Sequence, residues 1–124
     1  MHPEITLLVH NIRSTHNVGA IFRTAEGFGV KKIILSGYTP YPDLSLCSEA
    51  PSCALVDGEI RSEDPRLPHI REKITSQIHK TALGAESLVS FEFYEDINDW
   101  IKENQRTENL PIIALEQSKD SVML

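Results

Sequence analysis

The sequence predicts an α/β fold, an open parallel sheet with helices on both faces. Two observations predict it. Short apolar runs at 5–9, 32–35, 88–94 and 112–115 have strand length. Between most of them lie stretches whose apolar residues recur every three or four positions, the spacing of one helix face. A strand, a helix and a second strand in so few residues make a parallel βαβ unit.

The first strand is Ile5-Thr6-Leu7-Leu8-Val9, and a polar turn, 11–17, follows it. Val18, Ile21, Phe22, Ala25 and Phe28 then mark the buried face of a helix. Ser14, Thr15 or Asn17 can cap its start, and Gly29 closes it. Lys32-Ile33-Ile34-Leu35 is the second strand, stopped by Ser36-Gly37. Residues 38–68 hold five prolines, Pro40, Pro42, Pro51, Pro65 and Pro68, and are expected to form a long, mostly irregular loop. Ile70, Ile74 and Ile78 predict a short helix that ends at Gly84, before a third strand at 88–94. Ile97, Trp100 and Ile101 predict another helix, capped by Asp96, with Trp100 in the core. Leu110-Pro111 breaks it before a fourth strand at 112–115.

The 124 residues read as one domain, 1–124, of ordinary globular composition: 40% hydrophobic and 24% charged. A net charge of −6 argues against a generic basic coat for nucleic acid. A local basic patch is still present in sequence, with Arg13, Arg23, Lys31 and Lys32 set against Glu26 alone. Cys47 and Cys53 fit no zinc or redox spacing and read as free thiols. The histidines show no metal-ligand spacing, so no metal is expected. No apolar run approaches the ~20 residues of a membrane helix, and the N-terminus has no signal-peptide pattern. A cytoplasmic protein without membrane contact is expected.

The block from Asn11 to Val30 carries the chemistry. It is a polar loop feeding a helix N-terminus, where free amides and the helix dipole favour anions. Arg13 and Arg23 add guanidinium forks that match phosphate. Gly19 removes a side chain where another chain or a ligand can come close. By itself this is a phosphate-binding turn of a kind many α/β proteins have.

The order Asn11, Arg13, Ser14, Asn17, Val18, Gly19, Ile21, Arg23, Thr24, Ala25 resembles the first signature motif of the SpoU/TrmH family of RNA 2′-O-ribose methyltransferases. The stretches 80–89 and 111–118 resemble two further blocks of that family, in the same order along the chain. The resemblance implies a knotted α/β fold of the SPOUT type and S-adenosylmethionine as methyl donor. It also implies a homodimer acting on tRNA or rRNA. It makes Asn17 and Arg23 the catalytic residues, with Arg13, Ser14, His16 and Gly19 beside the RNA phosphate. A guanidinium with a pKa above about 12 seldom releases its proton. Clamping phosphate and stabilising charge on the attacking 2′-oxygen is the simpler role for Arg23. Asn17 would orient Arg23 or cap the helix.

The family's later motifs, which form the C-terminal knot and cradle the donor, have no counterpart before Leu124. The domain is therefore expected to be C-terminally truncated, its cofactor-binding residues to lie beyond Leu124, and the chain alone to be inactive. A non-catalytic RNA-binding homologue or fragment is the alternative, and an unrelated small nucleotide-binding α/β domain a distant third. Bland readings stand beside each residue. Arg23 can be a surface arginine, Asn17 only a cap, Arg13 a solvated cation and His16 a loop histidine.

Overall fold

A computed structural model of the chain describes residues 4–43, 54–56, 59–60, 66–107 and 111–113. Both cysteines fall outside them. The elements run β1 (Thr6–His10), α1 (Thr15–Phe28), β2 (Lys32–Ser36), β3 (Ala54–Val56), β4 (Glu59–Ile60), α2 (Pro68–Ala82), β5 (Ser90–Tyr94) and α3 (Ile97–Thr107). The five strands form one open sheet in the order β1-β2-β5-β3-β4. β1, β2, β5 and β3 are parallel, and β4 turns back antiparallel on β3. The α/β fold class is as expected, and helices cover both faces.

Alternation along the strands decides which face meets which helix. Val9, Ile33, Leu35, Phe91 and Phe93 point to one face and join Val18, Phe22 and Ala25 of α1 and Ile78 and Ala82 of α2 in the core. Phe22 and Phe91 meet edge to face with ring centroids 5.7 Å apart. On the opposite face, Thr6, Lys32, Glu92 and Tyr94 share a cavity of about 180 Å³ with Trp100, Glu103, Asn104 and Thr107 of α3. Trp100 is only half-buried and lines that cavity rather than the main core.

The caps follow local chemistry. Ser14 holds the start of α1, its Oγ accepting from the Asn17 amide at 3.1 Å. Gly29 ends α1 at φ 69°, in the left-handed conformation. Pro68 opens α2, where its missing N–H costs nothing. The Asp96 carboxylate accepts from the Asn98 amide at 2.9 Å and opens α3 as expected.

Four local expectations change. The region 38–68 contains two short strands, β3 and β4, because β5 offers β3 a free edge to pair with. The third strand starts at Ser90, not at residue 88, because a 3-10 turn at Ala85–Ser87 uses up the preceding backbone. Phe28 is 83% exposed: the helix ends there, past the edge of the core. Residues 111–113 carry no regular structure, with Ile112 and Ile113 exposed, and 114–115 of the expected fourth strand lie outside the described residues.

Candidate nucleic-acid interface

Three loops meet at the carboxyl end of the sheet. One is the 11–14 loop after β1, the second is the turn after β2, and the third follows β5. Asn11 is their joint. It sits at φ 54°, a conformation asparagine tolerates better than most side chains. Its amide donates to the Ser36 carbonyl at 3.1 Å, and its Oδ1 accepts from the Tyr38 amide at 3.2 Å. Gly37 at φ 68° leaves room for it, since a Cβ there would collide with Asn11 Oδ1. Thr39 lies buried below; its Oγ1 donates to the Ser36 carbonyl at 2.7 Å and accepts from the Ile12 amide at 3.1 Å. His10 Nδ1 and Ser36 Oγ are 2.9 Å apart. The Gly37 amide donates to the Tyr94 carbonyl at 3.2 Å and ties in the third loop.

On this frame the predicted residues fall as follows. Arg13 is exposed, its guanidinium 5.2 Å from the centre of the Tyr38 ring, within cation–π range. Ser14 is the helix cap. Thr15 and His16 open α1, and among the described residues their backbone amides have no hydrogen-bond partner. The His16 side chain is exposed, while its carbonyl accepts from Thr81 Oγ1 at 2.8 Å. The close approach expected at Gly19 is made by α2 of the same chain. A Cβ there would lie 2.3 Å from the Ile78 carbonyl oxygen, so Gly19 is a packing residue.

Asn17 and Arg23 are both exposed on α1 and are not brought together. Six positions along a helix separate them by ~9 Å and turn them ~120° apart. Among the described residues no hydrogen bond joins them, so Asn17 does not orient Arg23. The basic patch read from the sequence is split as well. α1 spans 14 residues, ~21 Å, and carries the chain back to the amino end of the sheet. There Lys31 pairs with Glu4 at 3.1 Å and Lys32 with Glu92 at 3.5 Å. Of these four, Arg13 lies at the three loops, while Arg23 is the ninth residue of α1, ~12 Å along its axis from Thr15.

The residues the sequence reading passed over are Asn11 (as a site residue), Tyr38 and Thr39. Their signal was the Ser36-Gly37 pair, which forces a positive-φ turn directly beside the end of β1. Away from these loops, on α3, Arg106 donates to the Glu103 carboxylate at 2.6 Å, and that bond raises its guanidinium pKa further.

Fold and site together define an open α/β domain that gathers polar loops and a helix N-terminus at the carboxyl end of its parallel strands, where such sheets hold ligands. No protein-family model, curated protein or solved structure matches the chain. No helix among the described residues is long and apolar enough to cross a membrane.

Proposed function

We propose that the chain serves RNA 2′-O-ribose methylation of the SpoU/TrmH kind, on tRNA or rRNA in the cytoplasm, and supplies the side of the site that holds the RNA backbone. One observation carries the reading: the block Asn11–Ala25, in the order of that family's first motif, occupies the loop and first helix at the carboxyl end of β1. An RNA phosphate placed at the start of α1 meets the Thr15 and His16 amides, the positive end of the helix and the Arg13 guanidinium. Arg23 lies farther along the exposed side of α1, where it meets the next part of the backbone and stabilises charge on an attacking 2′-oxygen. Asn17 shapes the helix start through its amide, which Ser14 caps.

The methyl donor is S-adenosylmethionine in this reading. The cavity under α3 runs from Thr6 and Lys32 to Tyr94 on the sheet face opposite the one that carries α1, so it is not a donor site for chemistry at the head of that helix. That separation favours the second reading, a chain that binds RNA without catalysing transfer. A homodimer belongs to the same proposal.

The test incubates the chain with labelled donor and structured RNA and measures 2′-O-methyl nucleosides after digestion. Methylation that Arg23→Ala abolishes, with RNA affinity kept within about threefold, supports the catalytic reading. RNA binding without methylation supports the second. Absence of RNA binding contradicts both.

A further inference from the structure

Glu92 breaks the pattern of its strand. It lies on β5, between β2 and β3 in the sheet, beside Ile34 of β2. Its neighbours in sequence, Phe91 and Phe93, fill the core under α1 and α2. An apolar residue is the ordinary occupant of a covered central strand, and burying a carboxylate is costly unless it is fully paired. Glu92 is not. Its side chain is 9% exposed, and its partner is the Lys32 ammonium at 3.5 Å. Among the described residues no other side chain or amide reaches its carboxylate oxygens.

Glu92 and Lys32 both face the cavity under α3. Trp100 forms part of the wall, and among the described residues its indole N–H donates to nothing. The volume, about 180 Å³, is below the ~300–1,000 Å³ of sites for drug-sized ligands. One flat ring system fits, with its substituents outside.

We propose that this cavity binds the guanine base of a free nucleoside. The site lies on the face of the sheet away from α1, and the proposal does not rest on the RNA reading. The chemistry of the Glu92–Lys32 pair selects the ligand. A buried carboxylate with open lone pairs on both oxygens suits two adjacent N–H donors. A cationic ligand is disfavoured, because the Lys32 ammonium already stands 3.5 Å from the carboxylate. A neutral ring edge with two N–H groups beside a carbonyl meets both charges. The N–H groups donate to Glu92, and the carbonyl accepts from Lys32. Guanine carries that edge in its ring N1–H, its 2-amino group and its 6-oxo group. Adenine and cytosine set one amino group beside a bare ring nitrogen, and uracil has one N–H between two carbonyls, so each leaves a carboxylate oxygen unmet. Trp100 adds an aromatic surface on which a base stacks.

Trp100 is the only tryptophan of the chain, so its fluorescence reports on this cavity. Titration of the full chain with guanosine should quench it to a plateau. Inosine, which lacks the 2-amino group, should need about tenfold more, the usual weight of one hydrogen bond. Adenosine should need more still. Glu92→Gln keeps the length of the side chain but turns one acceptor into a donor, and should weaken guanosine by at least about tenfold with circular dichroism unchanged. The order among the nucleosides is read on the wild-type chain, so it decides even where the variant fails to fold. Quenching without a plateau overturns the proposal, as do equal midpoints for guanosine, inosine and adenosine. So does a folded Glu92→Gln chain that binds guanosine as the wild type does. Tighter binding of a single-stranded oligonucleotide with one guanine overturns the free nucleoside as ligand and assigns the base to RNA.

Discussion

Thr81 Oγ1 lies 2.0 Å from the point where a side-chain carbon at Gly19 would sit, and the Ile78 carbonyl oxygen lies 2.3 Å from it. α1 and α2 therefore touch through a glycine, and Thr81 spends its hydroxyl on the His16 carbonyl at the start of α1. The helix that carries the candidate interface is positioned by this contact.

Gly19→Ala is the direct test of that packing. Alanine gains about 1 kcal/mol of helix propensity, but the Ile78 carbonyl is backbone and cannot move aside. Overpacking of this kind costs about 1–3 kcal/mol and should outweigh the gain. Urea unfolding should give a lower midpoint at an unchanged slope. A higher midpoint would mean the helices are not in contact there.

Gly37→Ala should disturb the loop frame more than the core. It forces a side chain into a positive-φ position and onto Asn11 Oδ1. The expected loss is about 1–3 kcal/mol. Exchange should quicken first at Tyr38, whose amide depends on Asn11, while Phe91 stays protected. Uniform loss of protection across the sheet would contradict a local frame.

Arg13→Ala should weaken RNA binding without changing sequence preference, because a phosphate contact carries no base information. The slope of log affinity against log salt should fall by about one. An unchanged slope would return Arg13 to the solvent, with Tyr38 as its sole partner.

The first βαβ unit was legible because its signals are local: β-branched runs, one helix face, Ser14 before it and Gly29 after it. β3 and β4 were not. They have three and two residues, and what makes β3 a strand is the edge of β5, far away in sequence. The same divide runs through the site. The residues of the 11–17 loop were visible, but the antiparallel return of α1, which removes Lys31 and Lys32 from the interface, appears only in three dimensions. So does the angle between Asn17 and Arg23, which helix geometry fixes once α1 is known to be continuous through both. Gly19 announced a close approach, and only the packing of α2 shows which partner makes it.

Amide chemical-shift mapping during titration with a short structured RNA tests the central claim most directly. Binding at the head of α1 predicts the largest shifts at Thr15, His16 and Asn17, with Tyr38 moving as Arg13 engages phosphate. Shifts confined to the amino end of the sheet, around Lys31 and Lys32, or no shifts at all, would contradict it.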